Sequence, residues 1–578
     1  MFLQVDDFIT DPQDAAPGIR EALARAAAQG AEGICFSAGV YLCRSKITFA
    51  TLAAAHDEGC GKQTEKDCFL HLEGLHNFVL RGAKGADGAP ATVLAGYNTG
   101  EPQTLQPTML WAEYCDGLSV QDLAFTRMPE TAGAGIVVAA GQDGIRVRPV
   151  DGKHYDRPAG AYCMNRYDVD RRALLGSSLT YGFGYDLRWQ PQPDGTLLLP
   201  DAELAAQTSV GEGLSWHQAG KTDFLLYFGH CRDLQLENIA IPDTNSFGIL
   251  TECCRKITAR RVCIAPGPSQ FFAGPRDGWK IARCSGDILV EECRFEGVRM
   301  DGQNVHSNYF VVVASPDPYT LLCECRYAPH PLETGSEILF TDRRDPAFVR
   351  QAELVDWSLE TTRMELPSDS HAAGAAPAVG RANRVNTYRL RLDKPLAGQL
   401  AAGTLAQALC WEPGHYTCRR SVFRNIAGAG HLLRCRHVLL EENCYQNLMN
   451  AGVLLGDELD THTECGHAQD VQILGNQFEN IGTKPRYGPY GCACIAVKSQ
   501  GMTGWFNRDI RIEENRFSTS RCAVELHDVE NVTLRNNQYH AIEIPLYADP
   551  HTTRNIVCGG KDCYGPQRKL AQQPCEDL

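Results

Sequence analysis

A short repeat organises the chain: two β-favouring residues at alternating positions are flanked by polar pairs and followed by a small or amide residue and an apolar one. Adjacent copies begin 23 residues apart at Cys231 and Cys254, and 22 apart at Asn507 and Val529. One coil of a parallel β-helix has this length, so the repeat predicts an all-β, right-handed parallel β-helix. The copies are 115–125, 231–241, 254–264, 284–295, 435–445, 468–478, 507–517 and 529–539.

Alternation within each repeat predicts which side chains enter the coil. Val438 and Leu440 share one parity and should point inward. Asn476, Asn515 and Asn537 recur just after the strand, where an amide satisfies local backbone groups and tolerates the left-handed conformation. We interpret these asparagines as structural corner residues.

Two long gaps in the repeat predict inserted, β-rich and barrel-like modules at residues 129–222 and 311–416, the second with an Ala/Gly/Pro-rich break at 370–380. Helical spacing at 15–29 predicts a helix that caps the first coil, since a solenoid needs its terminal edge covered. The other predicted units are cap and first coils at 1–128, coils with the candidate site at 223–310, C-terminal coils at 417–558 and an irregular tail at 559–578.

The net charge and the cysteine content limit the classes of binding partner and the cellular compartment that we expect. The net charge of −15 excludes nucleic acid as a favoured partner and weakens the case for an anionic polymer as substrate. No apolar run is long enough for a membrane span. The 25 cysteines fit strand-like runs as free core thiols, and the start lacks a signal-peptide pattern, so we expect a cytoplasmic protein. A homodimer is compatible with the sequence.

The densest polar region holds a pair of aspartates, Asp277 and Asp301, which are 24 residues apart, or about one coil. Stacked positions of neighbouring strands are about 4.8 Å apart, so one carboxyl pKa should rise beside the other charge. A protonated acid beside an ionised carboxylate is what a glycosidase needs. The alternative is that both are turn residues, because each precedes glycine.

The run 248–309, which ends in FEGVRMDGQNVHSNY, resembles glycoside hydrolase family 110, whose members are α-1,3-galactosidases. A second match is Thr463-Glu464-Cys465-Gly466. The resemblance implies a β-helix interrupted by two β-rich modules and an inverting acid/base mechanism. We expect no cofactor. The matching residues of the first run are Asp277, Asp301, Asn304, Val305 and His306.

Two departures from the family pattern bear on the chemistry: Met300 stands where the family has an aspartate, and His462 where it has a tryptophan. Asp277 and Asp301 could suffice, another carboxylate could replace the missing one, or the protein could bind a sugar without cleaving it. Glu464 is the preferred replacement, as an acceptor of hydrogen bonds from sugar hydroxyls. The carboxylates considered are Asp243, Glu252, Asp457 and Glu464.

The remaining candidates are neighbours of the aspartates. Trp279 and Trp216 could stack on a pyranose or pack in a core. The acidic run 457–460 is interpreted as a solvated loop, with a weak Ca²⁺ site as the alternative. No metal site is expected, because the nearby histidines and cysteine lack zinc-ligand spacing with a second pair. The predicted substrate-binding residues are Asn304, His306, Glu464, Asp243, Trp279, Lys280, Arg299, Met300 and His462.

The sequence and the resemblance together favour an exo-acting, inverting glycoside hydrolase that removes a terminal α-linked galactose or N-acetylgalactosamine from a small oligosaccharide. A polysaccharide lyase is the second hypothesis, with Lys280 and Arg299 available for proton abstraction and charge neutralisation. A non-catalytic carbohydrate-binding β-helix is the third.

Overall fold

The computed structural model describes residues 1–51, 65–98, 106–180, 187–218, 224–326, 329–365, 383–460, 462–483 and 492–559. The predicted break at 370–380 and all but the first residue of the predicted tail 559–578 lie outside the described residues. Strands of successive coils pair in parallel register and form a right-handed parallel β-helix, so the predicted fold is confirmed. None of the described helices combines the length and apolar character needed to cross a bilayer.

The coils build three walls of parallel strands. The first wall, which carries the candidate site, consists of Glu65–Glu73, Thr108–Glu113, Phe224–Gly229, Phe247–Glu252, Trp279–Ala282, Gln303–Asn308, His431–Leu433, Val453–Leu455 and Ile495–Val497. Two short strands join it in antiparallel register, Ile47–Ala50 and Glu464–Cys465.

The second and third walls share long strands that bend from one to the other. The second wall consists of Phe2–Gln4, Gly33–Cys35, Val79–Arg81, Ser119–Met128, Arg232–Ile241, Arg255–Ile264, Ser285–Glu291, Pro413–Arg419, Val438–Glu441, Gln469–Leu474, Asn507–Glu513, Val529–Arg535 and Thr553–Gly559. The third wall adds Gly39–Cys43, Thr92–Tyr97, Arg294–Glu296, Val422–Ile426, Cys444–Leu448, Gln477–Ile481, Arg516–Leu526 and Gln538–Ala548.

Apolar side chains of one parity fill the interior of the coils. Val438 and Leu440 are buried there, as the alternation predicts. Aromatic rings stack along the interior at centroid distances of 4.6–5.1 Å, the offset geometry that such rings prefer. The stacked rings are Phe295, Phe423, Tyr445, Phe478 and Phe517. The described cysteines are free thiols, most of them buried.

Buried asparagines form a second ladder at the corner after the second wall. The side chain of Asn476 donates to Asn515 Oδ1 at 3.1 Å, and that of Asn515 donates to Asn537 Oδ1 at 3.0 Å. Their structural role matches the prediction, but the left-handed residue of each corner is the one before the asparagine, such as Glu514 with φ 60°. The asparagine therefore turns inward and satisfies backbone groups of neighbouring coils.

Removing one rung of this ladder should destabilise the β-helix. In Asn476→Ala, the backbone N–H of Asn443 and the carbonyl of Leu440 lose their partners, which are 2.9 Å away in each case. Unsatisfied buried groups cost about 1–3 kcal/mol each, so we expect a loss of about 2–5 kcal/mol in the free energy of unfolding. Urea denaturation measures it, with the exposed neighbour substitution Gln477→Ala as a control that should change stability by less than about 0.5 kcal/mol. Equal effects of both substitutions would contradict this account.

The N-terminal helix Ala16–Gln29 covers the first coil. Its buried face includes Ile19, Ala22 and Leu23, which belong to the same apolar core as the coils. It ends at Gly30, whose φ of 63° is the left-handed conformation that terminates many helices. Its buried apolar face therefore covers the N-terminal edge of the β-helix.

Two modules interrupt the β-helix. The first is an eight-stranded sheet, and its short helix is Ala202–Ala205. Its strands are Ala132–Gly141, Gly144–Pro149, Ala159–Gly160, Tyr162–Asp168, Ala173–Ser178, Arg188–Pro191, Leu197–Leu199 and Gly213–His217. The second is a closed barrel of the strands Phe310–Asp317, Thr320–Arg326, Glu337–Asp342, Asp345–Glu365, Asn383–Leu392 and Leu405–Ala408. The barrel begins directly after the first-wall strand Gln303–Asn308.

Candidate active site

Asp277 and Asp301 stack on successive coils, immediately before two first-wall strands. The N–H of Gly278 donates to the carbonyl of Asp301 at 2.9 Å, which fixes the register. A Cβ on Gly278 would lie 2.7 Å from the carbonyl oxygen of Gly302, and one on Gly302 equally close to that of Gly430. The close approach of the coils therefore requires glycine at this position.

The same packing requirement does not explain the aspartates. On the next two coils, Ala429 and Ala451 precede the equivalent glycines Gly430 and Gly452. Alanine thus fills the position where the structure needs only a corner residue. The turn accounts for the glycines and leaves the two carboxylates to be explained by chemistry.

A backbone hydrogen bond links the two aspartates, and the charge of Asp277 raises the proton affinity of Asp301. The backbone N–H of Asp301 donates to Asp277 Oδ1 at 3.3 Å, and that of Ala429 donates to Asp301 Oδ1 at 2.8 Å. Burial and the charge of Asp277 raise the pKa of Asp301 to about 7. Burial also raises the pKa of Asp277, although the cationic side chains Lys280 and Arg276 oppose the rise.

Glu464 reaches the aspartates from a later part of the chain. Its two-residue strand pairs antiparallel with the end of Gln303–Asn308, which places it over the first wall. Arg434 donates to Oε2, and Lys280 Nζ lies 3.5 Å from Oε1. Burial opposes ionisation, but the charges of Arg434 and Lys280 hold the pKa of Glu464 well below its usual range. Glu464 is therefore an ionised carboxylate whose charge raises the pKa of both aspartates.

Two polar side chains present acceptors in the same region. Lys280 and Asn304 are paired across the first wall, and Ala282 pairs with His306 in the next outward position. His306 Nδ1 donates to the carbonyl of Ser307 at 2.8 Å, and burial keeps the pKa of His306 well below its usual value. His306 Nε2 lies 3.5 Å from Glu464 Oε1 and makes no hydrogen bond within the described residues, as is also true of Asn304 Oδ1.

The structure adds residues that the sequence reasoning missed. Arg434 stacks one coil beyond His306, with its backbone N–H bonded to the carbonyl of Val305 at 2.8 Å. Arg276 precedes Asp277, is buried and has its guanidinium 4.9 Å from the ring centre of Phe247. Arg434 could have been found from the sequence alternation. It directly follows the first-wall strand His431–Leu433 and has the same outward parity as Leu432.

Met300 and His462 both lie close to the carboxylates. A Cβ on Gly428 would lie 2.5 Å from the Met300 carbonyl carbon and 2.7 Å from Asp301 Oδ1, so the next coil packs directly against this pair. The His462 ring is close enough to Glu464 to lower the pKa of that carboxyl. The His462 carbonyl accepts a hydrogen bond from Asn308 at 3.2 Å.

The structure corrects both tryptophan assignments. Trp279 is fully buried inside the coils, where its indole N–H donates to Thr251 Oγ1 at 3.2 Å. It shares the inward parity of Ile281, whereas Lys280 between them points out. Trp216 is buried in the first module against Trp189, at a centroid distance of 4.9 Å. Neither ring is available to a sugar.

Asp243 and Arg299 are also corrected, because each binds the first module. Asp243 is fully buried and accepts hydrogen bonds from the backbone N–H groups of Thr131 and Ala132, both at 2.8 Å. Arg299 is fully buried and donates to the carbonyl of Thr180. These side chains fix an insertion to the β-helix and do not meet a ligand.

Two of the other replacement carboxylates are committed elsewhere. Glu252 forms a fully buried ion pair with Arg283 at 2.6 Å. Asp457 accepts from Tyr309 and His467, each at 2.8 Å, and from a backbone N–H at 3.0 Å. The predicted solvated loop at 457–460 is wrong for its first half, since Asp457 and Glu458 are both 1 % exposed and the oxygens of Asp457 are already used, whereas Asp460 is exposed. Of the four candidates, Glu464 is the one that joins Asp277 and Asp301.

Comparison with known proteins supports the resemblance drawn from the motifs. The alignment to α-1,3-galactosidase A of Bacteroides thetaiotaomicron is 22% identical over 329 residues, covering 55% of this chain and 52% of that protein. The α-1,3-galactosidase A of Bacteroides fragilis is 26% identical over 296 residues, covering 50% and 45%. The chain resembles α-1,3-galactosidases. It spans about half the length of these curated relatives.

No protein-family model matches the chain. Among solved structures, an exopolygalacturonase from Thermotoga maritima aligns over 96% of this chain and 91% of its own, at 11% identity and a TM-score of 0.42. The A-module of the mannuronan C-5 epimerase AlgE6 from Azotobacter vinelandii aligns over 96% and 99%, at 11% identity and a TM-score of 0.40. The chemistry must therefore be argued from the residues of this chain.

Proposed function

We propose that this protein is a glycoside hydrolase that removes a terminal α-linked galactose from a small oligosaccharide. Asp301 would protonate the oxygen of the leaving group, and Asp277 would activate the attacking water, which inverts the anomeric carbon. Glu464, His306 and Asn304 would accept hydrogen bonds from sugar hydroxyls. We propose an α-1,3 linkage because the similar proteins are named α-1,3-galactosidases.

The observation that carries the proposal is the split in proton affinity among three neighbouring carboxylates. With a pKa of about 7, Asp301 is protonated in a large fraction of molecules at neutral pH, whereas Glu464 is ionised. Lys280 and Arg276 favour the ionised form of Asp277, whereas burial and the charge of Asp277 raise the pKa of Asp301, and carboxyl groups whose surroundings differ in this way suit the acid and base of a glycosidase. The ionised form of Asp277 raises the pKa of Asp301, so a charged base favours the protonated acid.

The charges of the site favour a neutral sugar. Lys280 and Arg434 form ion pairs with Glu464. Arg276 and Lys280 offset the negative charge of Asp277. These cations are already matched by carboxylates, which leaves little positive charge for a uronate. The lyase hypothesis also loses Arg299, which is buried against the first module.

Exo-action is supported by what flanks the site. The first module contacts the coil of Arg299 through Thr180, and it also meets Asn425, which accepts from the backbone N–H of Leu174 at 3.1 Å. The barrel begins at Phe310, right after the strand that carries Asn304 and His306. Modules beside a site limit access to a long chain, and a chain end fits better than an internal segment.

A panel of oligosaccharides tests the proposal. The full chain should release free galactose from galactosyl-α-1,3-galactose and leave the β-linked disaccharide and polygalacturonate intact. A matched α-linked N-acetylgalactosamine substrate tests whether the apolar Met300 admits an N-acetyl group, and proton NMR of the first product should show the β anomer. Formation of an unsaturated uronide, or failure to release any monosaccharide, would overturn the proposal.

The rate should fall on the alkaline side of neutrality. Because Asp301 must carry its proton to act as the acid, kcat/KM should decline as pH rises through about 7, the pKa of that group. At lower pH it should decline again when Asp277 becomes protonated and can no longer act as the base. A pH profile of kcat/KM measures both limbs, and a rate that rises steadily above pH 7 would assign Asp301 a different role.

A further inference from the structure

A second group of reactive side chains lies away from the carboxylates, where the barrel meets the β-helix. His230, Cys253 and His330 each place one ligand atom so that all three atoms lie within 4.8 Å of one another. His330 Nδ1 is 3.3 Å from His230 Nε2. His330 is buried, and the other two side chains are half-buried.

The backbone brings these residues together by two routes. His230 and Cys253 occupy the same corner on successive coils, each directly after a first-wall strand, and the N–H of His230 donates to the carbonyl of Glu252 at 2.9 Å. Both adopt a left-handed backbone, with φ of 53° and 52°, which is uncommon for a residue with a side chain. His330 arrives from the barrel, in the segment after the strand Thr320–Arg326.

Glu252 lies on the side of His330 that faces away from His230. The Glu252 Oε1 atom lies 3.0 Å from His330 Nε2, and both side chains are fully buried. This contact places the carboxylate on the far side of the ring, while Nδ1 faces His230 Nε2 at 3.3 Å. Glu252 is itself fixed by Arg283 at 2.6 Å and by the Tyr227 hydroxyl at 3.2 Å. A carboxylate that orients the far nitrogen of a histidine is typical of metal sites.

We propose that His230, Cys253 and His330 bind a divalent transition-metal ion of the zinc class. Two imidazole nitrogens and one thiolate are the donors that zinc prefers, and three protein ligands leave the fourth tetrahedral position to water. On binding, the Cys253 thiol releases its proton to solvent as the metal–sulfur bond forms, with no change in oxidation state. Glu252 and Arg283 neutralise each other beside the site.

The metal would join the barrel to the β-helix and would not take part in sugar cleavage. Along the outward face of the first wall, Ala282 separates Glu252 from His306. Two coil spacings of about 4.8 Å therefore lie between the metal site and the acceptor residues. Two ligands come from the β-helix and one from the barrel side, so the ion would bridge two parts of the fold. The proposal stands independently of the proposed enzymatic function.

This site could not be predicted from a sequence motif, because its ligands are far apart in the chain. His230 and Cys253 are one coil apart, but 77 residues separate Cys253 from His330, across the first two strands of the barrel. Zinc motifs are recognised by ligand pairs a few residues apart. The expectation that there is no metal site rested on that spacing.

Cobalt substitution of the full chain tests the proposal. The protein is treated with a chelator, dialysed and titrated with Co²⁺ under reducing conditions, and we expect one equivalent to bind with a thiolate-to-cobalt charge-transfer band that Zn²⁺ abolishes. Cys253→Ser and His230→Ala should each lose the band. Cys263→Ser and Cys558→Ser, which alter thiols elsewhere on the β-helix, should retain it.

The unfolding temperature distinguishes a variant that has lost metal binding from one that has misfolded. Zn²⁺ should raise the unfolding temperature of the wild type and of Cys263→Ser, but leave that of a folded Cys253→Ser or His230→Ala unchanged. A band that survives in Cys253→Ser, equal stabilisation of all variants by Zn²⁺, or no stoichiometric binding by the wild type would overturn the proposal.

Discussion

Asp301→Asn should lower kcat on galactosyl-α-1,3-galactose by about 10³-fold, within the range that general acid catalysis contributes. The substitution keeps the shape of the side chain and an oxygen for the N–H of Ala429, so the fold should be retained. It removes the carboxyl group whose pKa of about 7 supplies a proton at neutral pH. Steady-state kinetics with circular dichroism as a check on folding measures the loss.

The dependence of the rate on the leaving group distinguishes the role of the acid from that of the base. An aryl galactoside with an acidic phenol needs little protonation, so Asp301→Asn should retain most of its rate on that substrate. Asp277→Asn, the matched control on the neighbouring coil, should lose activity on both substrates, because activation of water is still required. If Asp301→Asn lost activity equally on both, or if neither variant lost activity, the assigned roles would be incorrect.

Glu464→Gln should lower kcat/KM at pH 7 by about 10- to 100-fold, the value of a hydrogen bond to a charged group. It should also move the alkaline limb of the pH profile to lower pH. The charge of Glu464 raises the pKa of Asp301, and removing it leaves Arg434 and Lys280 to favour the ionised form of that acid. The pH dependence of kcat/KM reports this shift, which a merely structural role would not produce.

Two further variants control this experiment. Glu464→Asp keeps the negative charge and should leave the alkaline limb close to its wild-type position even if the rate falls. Asp287→Asn removes an exposed carboxylate that pairs with His415 on the second wall and should change neither property. A Glu464→Gln enzyme with reduced rate and an unmoved pH profile would contradict the electrostatic role of Glu464.

The β-helix is predictable from the sequence because the patterns that specify it lie within a single coil. A period of 22 or 23 residues and strict alternation are what one coil imposes, and they identify the inward positions of Val438 and Leu440. The left-handed corner residue was placed one position too late, because the asparagine and the residue before it are both acceptable there and only the ladder contacts distinguish them.

The candidate site was only partly predictable. The spacing of Asp277 and Asp301 follows from the coil length, so their stacking could be anticipated. Trp279 was misassigned although its parity matches that of Ile281, which is a local signal that the sequence did contain. Asp243 and Arg299 could not be assigned, because their partners Thr131 and Thr180 belong to an insertion whose docking no repeat encodes.

The position of Glu464 depends on a long-range contact that a repeat cannot encode. Its strand leaves the parallel order and pairs antiparallel with the coil of Asn308, 156 positions earlier in the chain. Only the motif resemblance pointed to it. The buried partner Arg434 has no motif of its own, and its role becomes visible once the carboxylate is in place.

The most direct test of the central claim is the amount of free galactose released from galactosyl-α-1,3-galactose by the wild type and by the double variant Asp277→Asn/Asp301→Asn. The account predicts complete conversion by the wild type and no detectable release by an equally well-folded double variant. Release by both proteins would place the chemistry elsewhere, and release by neither would show that the stacked aspartates do not form a galactosidase site.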